Sequence, residues 1–317
     1  MATTSYHVPV LLEESLEQLD LKPGAVIVDG TLGGAGHAQA ILERTAPDGV
    51  LIGLDVDPDA IREAGLRLGR FGDRVRLVQA SFRRLADVAR ELELVAVDGV
   101  LLDLGVSSHQ LDRPERGFRF SPGPESPLDM RMDRAGEGIT AAGLLASLSA
   151  EELERVFSKY GELPGARRLA RAIVEHRKLG PLATAKDLID LIQGAGIGRG
   201  RQHNPATLVF QALRIAVNDE LAALEEGLAA AIRILRPGGR LVVLTYHSLE
   251  DRIVKQTIRS AAKGCVCPPS FPVCRCGRKP SVRLATRRAV EPTAAEVEGN
   301  PRARSARLRA AIRLEAA

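Results

Sequence analysis

Long apolar runs are missing from this chain. No segment approaches the roughly 18 uninterrupted apolar residues that a membrane-spanning helix needs, so no membrane partner is predicted. The N-terminus Met1–His7 is polar and lacks an apolar h-region, which predicts no signal peptide and a cytoplasmic protein. Aromatics are scarce, at 3%, so any base stacking rests on few side chains, with Phe118 and Phe120 as candidates. Internal repeats and low-complexity tracts are also absent, which excludes a solenoid. Cysteine occurs only at 265, 267, 274 and 276. In a cytosolic chain a disulfide is not expected. The spacing is C-x-C…C-x-C, whereas zinc sites commonly use C-x2-4-C pairs, because two intervening residues let the backbone aim both sulfurs inward. A reduced loop braced by Pro268, Pro269 and Pro272 is the favoured reading, and no metal ligand is assigned.

What remains is ample for a core. The chain has 317 residues, of which 45% are apolar, enough for one large domain or two. The net charge of +4 hides an asymmetry. Residues 252–317 hold 15 Lys+Arg against 4 Asp+Glu, a net of +11, and the first 251 residues carry −7. A basic C-terminal fifth suggests a polyanionic partner, nucleic acid first; a solvated basic face is the competing explanation.

The first half alternates strand and helix signals. Ala25–Asp29, Val50–Asp55, Val75–Gln79 and Gly99–Asp103 are short apolar runs of strand length. Such strands separated by helices imply a mostly parallel sheet covered on both faces. The pattern then stops. Residues 113–138 form a long loop rich in Pro, Gly, Arg and Asp, and helical signals follow to about Arg201. Ser149 with Glu152, and Thr184 with Asp187, have the spacing of capping boxes. Arg167–Arg177 is a basic helix candidate, and Gly194–Gly200 a connector. Leu221, Leu224, Leu228, Ile232 and Leu235 then mark a long amphipathic helix, ended by Arg236-Pro237-Gly238-Gly239 before the strand Arg240–Thr245. A last strand is predicted within Ala306–Leu314. The expected organisation is one α/β domain, residues 1–112 plus 206–317, interrupted by an inserted loop and helical domain, residues 113–205.

The first strand runs into Asp29-Gly30-Thr31-Leu32-Gly33-Gly34-Ala35-Gly36-His37. Glycines at a strand-to-helix turn let a ligand approach the backbone beside the positive end of a helix. The dinucleotide pattern G-x-G-x-x-G started at Gly34 and Gly36 fails at Gln39, which disfavours an NAD-linked oxidoreductase. An acid followed by spaced glycines suits S-adenosylmethionine, which has no pyrophosphate but carries an α-ammonium that an acid or carbonyls can hold. Asp55 ends the second strand, where an acid accepts ribose hydroxyls; Asp57 or Asp59 is available to cap the next helix instead. Phe82, after the third strand, is equally suited to covering an adenine or to packing in the core. Asp103 ends the fourth strand, whose carboxyl end faces the ligand crevice of an open α/β sheet. Methylating an exocyclic amine needs an acceptor for its N–H, which orients the nitrogen lone pair and stabilises developing charge. Asp103 is the candidate catalytic residue, with a structural strand-end carboxylate as the alternative.

The motifs Leu101–Leu111 (LLDLGVSSHQL), Arg116-Gly117-Phe118, Pro127–Met132 (PLDMRM), Phe210–Ile215 (FQALRI), His247–Lys255 (HSLEDRIVK) and Asn300–Ser305 (NPRARS) resemble the RsmH family, also called MraW, from His7-Val8-Pro9-Val10-Leu11-Leu12 to the arginine-rich end. The resemblance implies a Rossmann-like methyltransferase with a helical insertion. It implies methyl transfer from S-adenosylmethionine to N4 of a cytidine in the decoding region of 16S rRNA, in the small ribosomal subunit. It puts the cofactor contacts on Ala35, Gly36, His37, Asp55, Phe82, Asp103 and Gln110. A non-catalytic RNA-binding factor of the same fold is the remaining rival, and a homodimer is compatible with the sequence. His247 and Ser248 are candidate substrate contacts, with capping of the following helix as the alternative for His247. The family usually has Gly where Ala35 stands, which a negative φ tolerates and a positive φ strains. It often has Phe where Tyr246 stands. It often has His where Asn204 stands, which makes His203 a surface histidine in the expected reading.

Overall fold

The computed structural model describes residues 9–119, 126–198, 204–268, 271–273 and 275–315. His7, Val8, Phe120, His203 and Cys274, as well as the end of the 194–200 connector, lie outside the described residues. The chain divides into two compact units, residues 1–105 with 221–317, and residues 106–220.

The first unit is a doubly covered sheet. Its strands are β1 (Val26–Asp29), β2 (Val50–Asp55), β3 (Val75–Gln79), β4 (Val97–Asp103), β5 (Leu235–Thr245), β6 (Val282–Leu284) and β7 (Arg307–Arg313). Their order is β3-β2-β1-β4-β5-β7-β6. The first five run parallel, and β7 is antiparallel to both of its neighbours. The expected mostly parallel α/β sheet is thus observed.

Side chains of a strand alternate between faces, and here both faces are apolar. Val28, Ile52, Leu54, Val100, Leu102, Leu241 and Val243 enter one core. Ile27, Leu51, Leu101, Val242 and Leu244 enter the other. That is why these strands read as unbroken apolar runs. Three helices cover the second face: α1 (Leu12–Leu19), α2 (Gly36–Arg44) and α3 (Pro58–Leu68), through Leu16, Ile41, Leu42 and Leu68. The first face is covered by α4 (Leu85–Glu91), by α11 (Glu220–Ile234) and by α12 (Ser248–Ala262), through Leu85, Val88, Leu224, Leu228, Val254 and Ile258. Each such side chain, fully buried, contributes roughly 1.5–3 kcal/mol of transfer free energy.

Helix α11 runs straight into β5. Leu235 pairs with Val97 and Arg240 with Gly99, so β5 advances five residues while β4 advances two. Arg236-Pro237-Gly238-Gly239 is therefore a loop folded into the strand start, where the sequence predicted a turn. The edge strand β6 is a strand that sequence reasoning missed. A short helix, α13 (Ala294–Gly299), precedes β7.

The second unit holds α5 (Ser108–Asp112), α6 (Ala141–Ser147), α7 (Ala150–Gly161), α8 (Ala166–His176), α9 (Ala185–Gly194) and α10 (Pro205–Asn218). The capping boxes Ser149/Glu152 and Thr184/Asp187 start α7 and α9. Phe157, Leu169, Ile173, Leu188, Val209, Phe210 and Leu213 share one core. Because α10 packs into that core, its residues belong to this unit, whereas the sequence placed those from 206 onward with the sheet. Phe118 is buried in the same core, so its ring is committed to packing. Several loop arginines are committed as well. Arg116 is buried and donates from Nη2 to the carbonyls of Arg131 and Met132 at 3.2 and 2.8 Å. Arg131 donates to Asp129 at 2.7 Å. A loop without regular structure uses these arginines to satisfy its own carbonyls and acid.

Candidate active site

Three strand ends frame the site. β1 ends in Asp29, β2 in Asp55 and β4 in Asp103. β1 lies between β2 and β4, so three acids sit at the carboxyl edge of three neighbouring strands. The strand order reverses there, at the position where open α/β sheets form ligand crevices.

The turn after β1 is fixed by backbone donors. Thr31 N–H donates to Asp29 Oδ1 at 3.1 Å, and Gly33 N–H to Asp55 Oδ2 at 2.8 Å. The turn needs left-handed backbone twice, at Gly33 (φ 48°) and at Ala35 (φ 57°). Glycine takes that conformation freely, whereas for alanine it costs roughly 1–2 kcal/mol. Ala35 is held there by complete burial and by its N–H donating to Leu32 O at 2.7 Å. The sign of φ that the sequence left open is therefore positive.

Gly36 and His37 open α2. The His37 ring is buried, with Nε2 3.1 Å from Val10 O. A carbonyl only accepts, so Nε2 carries the proton. Burial pushes the His37 pKa down, against the opposing pull of Asp103 and Val10. The neutral ring thus turns the Nδ1 lone pair toward Asp103 Oδ2, 3.6 Å away.

Asp103 is held from two sides. Its N–H donates to Thr31 Oγ1 at 2.6 Å, and its Oδ1 accepts the Tyr246 hydroxyl at 2.6 Å. Its side chain remains 25% exposed, so it is both fixed and reachable. Burial and then the Asp103 charge raise the Tyr246 pKa well above the ordinary phenol value. Tyr246 therefore stays protonated and acts as a donor.

The acids are crowded. Burial raises the Asp29 pKa to about 7, with the Asp103 and Asp55 charges adding to it and the Thr31 N–H opposing. Burial raises Asp55 to about 6, opposed by the Asp57 and Gly33 amides. A cationic ligand relieves this repulsion, which fits a sulfonium and an ammonium. Asp57 caps α3 by accepting the Asp59 N–H at 3.0 Å. The capping task is thereby met without Asp55, whose two oxygens each keep further lone pairs for a ribose.

Phe82 follows β3 and is half-buried. Its ring rests on Gly227 of α11, where an added Cβ would come within 2.4 Å of Phe82 Cδ2. His247 is the N-cap of α12, accepting the Glu250 N–H at Nδ1 across 3.4 Å, with Nε2 3.1 Å from Glu250 Oε1. Of the two readings for His247, these contacts describe the cap. Ser248 is exposed at the first turn of α12. Gln110 belongs to the second unit, where it is buried and completes a capping box with Ser107. Sequence reasoning missed Thr31 and Tyr246 as partners of Asp103. The signal for Tyr246 is its position at the end of β5, since β5 pairs with β4 and places Leu244 beside Asp103.

A glycine-bearing turn, a ribose-ready acid and a fixed, reachable acid at the reversal point of this sheet define a Rossmann-like methyltransferase. A model of the MraW methylase family matches residues 4–314. The ribosomal RNA small subunit methyltransferase H of Geobacter sulfurreducens is 54% identical over 314 residues, covering 98% of this chain and 100% of its own. Its namesake in Symbiobacterium thermophilum is 53% identical over 313 residues, covering 98% of each chain. The namesake in Geotalea daltonii is 53% identical over 307 residues, covering 96% of this chain and 97% of its own. The chain belongs to the MraW methylase family.

Proposed function

We propose that this protein transfers the methyl group of S-adenosylmethionine to the exocyclic N4 of a cytidine in the decoding region of 16S rRNA, acting on the small ribosomal subunit in the cytoplasm. The observation that carries the reading is Asp103, fixed by Tyr246 and Thr31 yet partly open to solvent, beside the buried Asp29 and the half-buried Asp55 at the sheet's reversal point. The family and the activity for which its relatives are named support the methyl donor and the small-subunit RNA. No helix among the described residues is long and apolar enough to cross a membrane.

When bound, S-adenosylmethionine supplies an electrophilic methyl group and needs no nucleophilic side chain. Asp55 would accept ribose hydroxyls, and the backbone of Gly33–His37 would hold the ligand. Asp29 and Asp103 balance its positive charge. Phe82, whose ring packs on Gly227, would cover the adenine. The target base leaves its stack to expose N4. Asp103 Oδ2 then accepts an amine hydrogen, turns the lone pair toward the methyl, and receives the proton that N4 sheds. Phosphates have candidate partners on each unit. On α8, Arg167, Arg168 and Arg171 face solvent, opposite the buried Leu169, Ala170 and Ile173. On the first unit, Lys255, Arg259 and Arg287 line one surface pocket.

The test is transfer of a tritiated methyl group to small ribosomal subunits. The parent is expected to label them, and Asp103→Ala to lose transfer while keeping its melting temperature. Near-normal activity in Asp103→Ala would remove the catalytic assignment.

A further inference from the structure

Between Ala262 and Val282 the described residues form neither helix nor strand. Val266, Phe271 and Val273 are exposed there by 54%, 48% and 71%, so the described residues of this loop form no apolar core of their own. A long irregular segment of this kind needs another tie to hold one conformation. The thiols stand at its centre. The sulfurs of Cys265, Cys267 and Cys276 all lie within 4.8 Å of one another, and those of Cys265 and Cys276 are 3.8 Å apart. A tetrahedral site with zinc–sulfur bonds of about 2.3 Å has a sulfur–sulfur edge of about 3.8 Å. The one-residue spacing that argued against a metal in the sequence does not keep these sulfurs apart.

Backbone donors converge on the same atoms. Cys267 N–H donates to Cys265 Sγ at 3.3 Å, Arg275 N–H to Cys267 Sγ at 3.4 Å, and Val266 N–H to Cys276 Sγ at 3.5 Å. A neutral thiol is a weak acceptor, whereas a thiolate attracts such amides strongly. Three sulfurs this close form a ready-made soft donor set, and such donors select zinc over harder divalent ions.

We propose that Cys265, Cys267 and Cys276 bind one zinc ion, which ties together the loop between α12 and β6. Three protons leave the thiols on binding, and no redox change is involved. The site is separate from Asp29, Asp55 and Asp103 and takes no part in methyl transfer. Its role is to give a cation-bearing loop a fixed shape.

The test uses the full chain, purified under reducing conditions. Metal analysis is expected to find about one zinc per chain. Replacement by cobalt(II) is expected to give sulfur-to-cobalt charge-transfer bands and the intense visible bands of a tetrahedral ion. The double variant Cys265→Ser/Cys276→Ser is expected to lose both signals, to keep the parent's melting temperature within a few degrees, and to be cut faster by protease within residues 263–281. The proposal is overturned if the parent takes up no metal, or if the double variant retains the same cobalt spectrum. It is also overturned if the bound cobalt shows the weak, octahedral spectrum of oxygen ligation. Should the double variant fail to fold, the cobalt spectrum of the parent decides alone.

Discussion

The hydroxyl of Tyr246 donates to Oδ1 of Asp103 across 2.6 Å and links the ends of two neighbouring strands, β5 and β4. This bond fixes one carboxylate oxygen and leaves the other on the side of His37. Hydrogen bonds to charged groups contribute roughly 1.5–3 kcal/mol. Tyr246→Phe is therefore expected to lower the rate of methyl transfer about 10- to 100-fold while changing the cofactor dissociation constant little. Without the phenol's proton, the carboxylate also holds its own proton more tightly, so the acid limb of the pH–rate profile should move to higher pH. An unchanged rate and profile would show that Tyr246 only packs. Single-turnover kinetics across pH make the check.

Cofactor binding is expected to depend on pH through Asp29 and Asp55, raised to about 7 and about 6 by burial. Their folded pKa values lie above the ordinary carboxylate range. Their contribution to stability is thus greatest in acid and falls as pH rises from about 4 to about 7, where the unfolded chain ionises first. A cationic ligand favours the ionised acids, so affinity should rise between about pH 5.5 and about pH 7.5 with release of protons. Calorimetric titration with S-adenosylmethionine in two buffers of different ionisation enthalpy measures that release. A flat affinity with no buffer dependence would contradict the charge-crowded site.

Ala35 tests the turn. Ala35→Gly relieves the left-handed strain of roughly 1–2 kcal/mol but adds unfolded-chain entropy of roughly 0.5–1 kcal/mol. Stability should stay within about 1 kcal/mol of the parent, and cofactor affinity should be preserved. Ala35→Val puts a β-branched side chain into the same fully buried conformation and is expected to cost about 3 kcal/mol or more. Chemical denaturation of both variants compares the two outcomes, and equal stability for Ala35→Val would refute a left-handed, fully buried residue at this position.

Asp251 ties α12 to β7. Arg309 reaches it with Nε at 2.6 Å and Nη2 at 3.1 Å, and both side chains are largely buried. Burial alone would raise the Asp251 pKa, but Arg309 and Arg307 more than offset it and hold it below the ordinary value. The contribution is present at neutral pH and is lost as pH falls through the folded pKa. Asp251→Ala leaves a buried guanidinium without its carboxylate and should cost about 3–5 kcal/mol, read from urea denaturation at pH 7. A loss below about 1 kcal/mol would put the pair among ordinary surface salt bridges.

Much of this molecule is legible in the sequence because its strands are buried on both faces. Apolar runs such as Val50–Asp55 and Gly99–Asp103 carry that signal directly, and each ends in the acid that frames the site. The capping boxes at Ser149 and Thr184 likewise mark helix starts by local chemistry alone. Contacts set by register are not legible. Tyr246 and Asp103 are 143 residues apart, and only the β4–β5 pairing brings them together. Strand β6 has three residues and exists through its ladder with β7. The role of Arg116 is not legible either, because composition cannot distinguish a solvated guanidinium from one that satisfies buried carbonyls. Spacing alone speaks against a metal at the cysteines, whereas it is the path of the loop that brings their sulfurs together.

Identifying the methylated base tests the proposed reaction most directly. The protein is incubated with small ribosomal subunits lacking the modification and with isotopically labelled S-adenosylmethionine, and the 16S rRNA is digested and sequenced by mass spectrometry. The expected product is one labelled nucleoside, a cytidine of the decoding region bearing the methyl on N4. Label on a ring carbon, on a ribose hydroxyl or on a different base would contradict the assignment, as would subunits that remain unlabelled under conditions where the protein binds the cofactor.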